Sequence, residues 1–154
     1  MKIVIQKVKS ASVTVNHQLI SSITKGLMVL VGISTSDTPE DITKMSKKLL
    51  NLRIFEDLAI EDDRYSGKPW SKSIKDLGLE VLCVSQFTLY GTVTKGTKPD
   101  FHKAEKGPIA REKYEEFLSQ LRVELGDKVK DGKFGEMMEV SLVNDGPVTI
   151  VYET

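Results

Sequence analysis

The sequence predicts an α+β fold, mainly antiparallel β-sheet forming a barrel-like core with two main helices packed against it. Three observations carry this reading. Short Val- and Ile-rich runs fill the first 33 residues, two windows at 38–52 and 108–125 repeat apolar residues at helical spacing, and residues 140–150 return to strand character.

Taken in order, Lys2 to Val8, Ser12 to Val15, Leu19 to Ile23 and Leu27 to Ile33 read as strands. Asn16-His17 and Lys25-Gly26 are the turn signals between them, which suggests an antiparallel meander. Thr38-Pro39-Glu40-Asp41 then has the form of a helix start, with threonine as N-cap, proline in the first turn and an acid three residues after the cap. Ile42, Met45, Leu49 and Leu52 fall on one face of that helix. Residues 56–78 are polar and rich in turn formers, so they read as a surface loop anchored by the lone Trp70. A buried strand at 80–89, a loop at 91–107 and a helix at 108–125 follow. The second helix turns Ala110, Tyr114, Phe117, Leu118, Leu121 and Leu125 inward. At the end, Asn144-Asp145-Gly146-Pro147 reads as a turn between two apolar strands, and Gly-Pro is its unusual part. Proline has no amide hydrogen, and the bond before it can be cis.

Composition sets limits on function. The 154 residues, 40% of them hydrophobic and without internal repeats, suit one domain spanning 1–154. Lysine plus arginine equals aspartate plus glutamate at 22 each, so a nucleic-acid contact must come from a local patch rather than a bulk basic field. The first residues lack the apolar run of a signal peptide and no 18-residue apolar stretch occurs, which points to a cytoplasmic protein with no membrane partner. The single cysteine, Cys83, sits inside Val81-Leu82-Cys83-Val84 and reads as a buried core thiol.

The chemistry is approached by elimination. Two histidines, His17 and His102, are not spaced with cysteines or carboxylates as metal ligands require, so no metal site and no cofactor is expected. Neither a nucleophile elbow nor a phosphate-binding or dinucleotide loop is present. The acidic run Glu61-Asp62-Asp63 reads as a solvated loop. What remains is Ser85-Gln86-Phe87-Thr88-Leu89-Tyr90, which appends polar residues to the end of the apolar strand 81–84. Alternation places Gln86 and Thr88 on one side and Ser85 and Phe87 on the other, and amides at a strand end are unpaired donors. Such an end suits an oxyanion, with an ordinary hydrogen-bonded strand terminus as the alternative.

Ser85-Gln86-Phe87-Thr88-Leu89 together with Asn144-Asp145-Gly146-Pro147-Val148-Thr149 resembles the D-aminoacyl-tRNA deacylase family. The likeness runs almost end to end, through Gln6-Lys7-Val8, Leu30-Val31-Gly32-Ile33, Leu52-Arg53-Ile54-Phe55, Lys98-Pro99 and Phe134-Gly135. Departures are Lys7 in place of a common arginine, Glu136 in place of alanine after Phe-Gly, and a longer loop bearing Trp70. The resemblance implies a homodimer that hydrolyses the ester of tRNA charged with a D-amino acid or glycine. Ser85, Gln86, Phe87 and Thr88 would surround the ester. A cis Gly146-Pro147 from the partner subunit would hold the substrate's amino group and exclude L side chains. Amides near Phe87 and Thr88 would bind the oxyanion and the ribose 2′-hydroxyl would assist water, with nucleophilic Thr88 as the other mechanism. Lys95 and Lys98, in a loop where four lysines face two acids, are the candidate tRNA contacts, and no DNA partner is implied. A non-catalytic RNA-binding module would interleave aromatic with basic residues, and aromatics are only 6% of this chain. A purely structural dimerisation domain is compatible with the same composition.

Overall fold

The computed structural model describes residues 1–57 and 67–154. Glu61-Asp62-Asp63 and part of the expected 56–78 loop lie outside the described residues.

Strand β1 (Lys2–Val15) forms one long hairpin with β2 (Gln18–Ile23) and β3 (Gly26–Gly32). Val15 pairs with Gln18 and Lys2 with Gly32, so β2 and β3 follow one another along the same edge of β1. At the tip, Asn16 and His17 have φ of 49° and 65°. Two consecutive positive φ values give the type I′ turn whose twist matches the flanking strands. Two expectations are corrected here. The runs at 2–8 and 12–15 are one strand, and β2 does not pair with β3, so there is no meander. Lys9 and Ser10 look like a break because they are exposed, but β8 (Glu139–Glu153) pairs along the other edge of β1 and keeps that backbone extended.

Beyond β3 the pairing becomes parallel, first to β6 (Glu80–Ser85) and then to β7 (Val129–Asp131). Ser21 Oγ donates to the Asp131 carbonyl at 2.6 Å, linking β7 back to β2 and nearly closing a barrel. Strands β3 and β6 are buried on both faces. Leu27, Val29, Val81 and Cys83 join the cluster under the helices, while Met28, Leu82 and Val84 join a second cluster with Val8, Val13 and Val15. This is why both segments are continuous apolar runs rather than alternating ones. Cys83 is buried as expected, and burial, then the nearby Asp131 carboxylate, pushes its thiol pKa far up.

Helix α1 (Pro39–Asn51) starts as the sequence indicates: Asp41 N–H donates to Thr38 Oγ1 and Thr38 N–H to Asp41 Oδ2. Such caps contribute about 0.5–2 kcal/mol. Ile42, Met45 and Leu49 are buried, with Leu50, whereas Leu52 falls just past the helix and packs against the same core. Between the helices, β4 (Arg53–Phe55) pairs with β5 (Lys72–Ser73), and a four-residue helix α2 (Ile74–Leu77) buries Ile74. The 56–78 region is therefore not all loop. Helix α3 (Gly107–Leu125) buries the six residues expected of it. No described helix is long and apolar enough to cross a membrane.

Candidate active site

The expected strand at 80–89 ends at Ser85, and residues 87–90 form a single 3-10 turn. The last ladder bond is Gln86 N–H to the Val31 carbonyl at 2.8 Å, after which Leu89 N–H donates to Gln86 and Gly91 N–H to Thr88. Strand alternation therefore does not apply to Gln86, Phe87 and Thr88. Space for the turn comes from Gly32. A Cβ there would lie 2.9 Å from Leu89 Cβ and 3.3 Å from the Gln86 carbonyl oxygen, so only glycine lets the turn fold back onto β3. The first amides of a helical turn have no partner within it. Phe87 and Thr88 hold those positions, and no backbone acceptor for either amide occurs among the described residues.

Ser85, Gln86 and Phe87 open into a cavity of about 580 Å³. Apolar residues in its lining are Val31 on β3, Ile33 just past that strand, Val84 on β6 and Ala110 on α3. The segment Phe134 to Met138 before β8 also lines the cavity. Glu105, Lys106 and Gly107 bring the start of α3 to the rim. The segment before that helix is knitted to the strand end: Glu105 N–H donates to Ile33 O at 2.9 Å and Thr35 N–H to Lys103 O at 3.1 Å. Hydrogen bonding from the Lys106 amide, then from Lys113 at 3.2 Å, holds the Glu105 carboxyl below its ordinary pKa. It is thus a tethered anion rather than a poised acid.

Thr88 does not line this cavity. Its side chain is exposed, and its hydroxyl accepts a hydrogen bond from Gln86 Nε2. Neither histidine is hydrogen-bonded to it: His17 is in the β1–β2 turn, and His102 bonds Asp100 in the exposed loop. Phe87 is 56% exposed at the cavity and meets Phe101 edge-on at 5.2 Å. Gly91 permits this, because a Cβ there would sit 2.9 Å from the Phe101 ring. Lys95 and Lys98 lie outside the cavity, exposed in the turn closed by the Thr92–Asp100 bridge.

Gly146 and Pro147 stand elsewhere. Gln6 pairs with Thr149 and Val8 with Asn144, so residues 145–148 all bulge out opposite Lys7. The expected turn between two strands is instead a wide bulge within β8, both halves of which pair with β1. The bond is cis, and both residues are exposed. They line a shallow groove with Trp70 and Val148 to Ile150, apart from the Ser85–Phe87 cavity. At the root of the bulge the buried Lys7 ammonium lies 2.6 Å from Glu56 Oε1 and 3.8 Å from Asp145 Oδ2. Burial raises the Glu56 pKa, but the Lys7 hydrogen bond and charge outweigh it, with a net lowering. Among the described residues, no three His, Cys, Asp or Glu side chains are grouped to hold a metal ion.

Sequence reasoning missed the wall Phe134 to Met138 and the rim carboxylate Glu105 as parts of the cavity. A signal existed for the first: Phe, Gly and two Met in five residues, neither alternating nor helical, just before a strand.

Residues 4–153 match the family model described as D-Tyr-tRNA(Tyr) deacylase. A protein of Saccharomyces cerevisiae called D-aminoacyl-tRNA deacylase is 57% identical, with all of this chain and 99% of that protein covered. Proteins of the same name from Schizosaccharomyces pombe and Drosophila melanogaster are 50% and 53% identical over the whole of this chain, covering 99% and 92% of their own lengths. Among solved structures, a c-Myc DNA unwinding element binding protein superposes with a TM-score of 0.91 at 51% identity, over 100% of this chain and 99% of that one. A probable eukaryotic D-amino acid tRNA deacylase superposes at 0.83 with 20% identity, over 99% and 98%, a likeness of fold.

Proposed function

The chain belongs to the D-Tyr-tRNA(Tyr) deacylase family and hydrolyses D-aminoacyl-tRNA, and from this premise we propose that its active site is the Ser85–Phe87 cavity completed by Gly146-Pro147 of a second copy. One observation carries the proposal. The two elements expected to serve one site are separate within the chain, one in the cavity wall and the other on an exposed bulge. A two-fold dimer lets each bulge enter the other copy's cavity. The edge of β8 favours this, because none of its 15 residues is fully buried although Val148, Ile150 and Tyr152 pack against the core. Among the described residues β8 pairs along one edge only, and the free edge of a long strand is a surface that proteins cover.

In this reading the aminoacyl end of tRNA enters the cavity with its ester carbonyl at the 3-10 turn. Water adds to the carbonyl carbon, and the amides of Phe87 and Thr88 stabilise the oxyanion of the tetrahedral intermediate. The carbon–oxygen bond to the terminal ribose then breaks. The ribose oxygen gains the proton that the water gives up through the neighbouring 2′-hydroxyl, and the free D-amino acid leaves. Thr88 positions the turn through Gln86 and is not the nucleophile, since its hydroxyl is engaged by the Gln86 amide rather than by a base. A backbone clamp discriminates by shape rather than by side-chain identity. It rejects an L side chain and accepts glycine, so glycine mischarged on alanine tRNA is a second substrate. By contrast, pockets that read apolar side chains distinguish neighbours by only about 10–200-fold. Lys95 and Lys98 meet tRNA phosphates as one domain, 1–154, works in the cytoplasm. The balanced charge of the chain gives no bulk field for duplex DNA. The test is release of amino acid from D-aminoacyl-, glycyl- and L-aminoacyl-tRNA. The first two are turned over and the third is not; equal turnover of the L-ester removes the clamp.

A further inference from the structure

We infer that Trp70 is a positioning residue acting in trans, closing the rim of the partner's cavity over Phe87 and Met137. The inference rests on the dimeric reading above and adds a residue to it. Trp70 is the only tryptophan of the chain, is 56% exposed, and has φ of 57°. A bulky side chain in the left-handed region is unfavourable, and one left in water gains no burial in return. The residue is nonetheless fixed. Ser71 N–H donates to the Phe55 carbonyl at 3.0 Å and Asp57 N–H to that of Lys68 at 3.2 Å, tying one flank to β4 and the other to the segment just after it. The backbone that bears this exposed indole is thus held in place, and the groove Trp70 lines is the one containing Gly146 and Pro147.

The occupant of that groove is a second copy of this chain. An element placed in the partner's cavity brings its groove-mate to the same mouth, so the surface is continuous with the proposed interface. The receiving rim has matching chemistry: Phe87 is 56% and Met137 91% exposed, an aromatic edge and a thioether, both good partners for an indole face. In an isologous interface the contact occurs twice, so both exposed apolar surfaces are covered together. Trp70 would then narrow the mouth around the ester and keep bulk water from the terminal nucleoside.

The lone tryptophan provides its own probe. In the dimer, confirmed by sedimentation, Trp70 emission should be blue-shifted and poorly quenched by acrylamide, and a non-hydrolysable 3′-amide of D-phenylalanine with adenosine should protect it further. Trp70→Ala should raise KM for D-aminoacyl-tRNA by about tenfold with kcat within about twofold, Trp70→Phe should restore most of the loss, and both should remain dimeric. A water-exposed, freely quenched Trp70 in the analogue-bound dimer overturns the inference and leaves the dimeric site intact. An active monomer overturns both.

Discussion

Replacing Lys7 with methionine tests how the Gly146-Pro147 bulge is held, because methionine fills a similar volume without the charge. Lys7 is 1% exposed and lies between Glu56 at 2.6 Å and Asp145 at 3.8 Å. Removing one partner of a fully buried ion pair costs about 3–5 kcal/mol. Here the carboxylates keep 15% and 23% of their exposure, so water recovers part of that, and about 2–4 kcal/mol is expected. For a chain of this length, that lowers Tm by about 4–16 °C. The loss should depend on pH with a definite sign. The folded Glu56 pKa lies below its ordinary 4.5, so its contribution is present above that value and is lost as pH falls through the lower folded value. The Tm gap between wild type and Lys7→Met should therefore narrow below about pH 4.5. Activity well below Tm is the second readout: because Asp145 is anchored beside Gly146, kcat/KM for D-aminoacyl-tRNA should fall by tenfold or more, while Lys7→Arg retains most of it. Calorimetry against pH with a deacylation assay measures both. An unchanged Tm and unchanged kcat/KM in Lys7→Met would refute the anchoring role.

Three further outcomes follow from the site. Gly32→Ala puts a Cβ 2.9 Å from Leu89 Cβ, an overpacking of about 1–3 kcal/mol that displaces the 3-10 turn, so kcat/KM should drop while circular dichroism stays native. Thr88→Ala should lose only about 10–100-fold, or about 1.4–2.7 kcal/mol of transition-state stabilisation, and a terminal 2′-deoxy substrate should lose more. An acyl-Thr88 adduct trapped by mass spectrometry contradicts that mechanism. EDTA should leave turnover intact, since the described residues group no set of metal ligands; a loss restored by zinc counts against it.

Local signals made much of this fold legible. The Thr38–Asp41 capping box and the inward face of α3 depend on residues within one or two turns, so the sequence contains the whole cause. The single long β1 was not legible, because Lys9 and Ser10 are kept extended by β8, about 130 residues away in the chain. The turn at Phe87 was missed for a similar reason: the missing Cβ of Gly32, on another strand, makes room for it. Ser85, Gln86 and Phe87 were found in the cavity wall, whereas Thr88 stands outside it, because a 3-10 turn rotates successive side chains by about 120° rather than alternating them. The Gly146-Pro147 element was conspicuous in sequence, but its separation from the cavity appears only once the chain is folded.

Mixed dimers test the shared site most directly. Gly32→Val should disable the cavity. Gly146→Val should disable the bulge, because φ there is +125° and a Cβ would meet Val148 at 3.0 Å. Each variant, folded and dimeric by sedimentation, should be inactive alone. After unfolding and refolding an equimolar mixture, half of the dimers are mixed, and each has one cavity and one bulge that are both intact and on different chains. About a quarter of wild-type D-aminoacyl-tRNA deacylation should return. No recovery, with mixed dimers demonstrated by mass spectrometry, would show that each site is built within one chain and contradict the account.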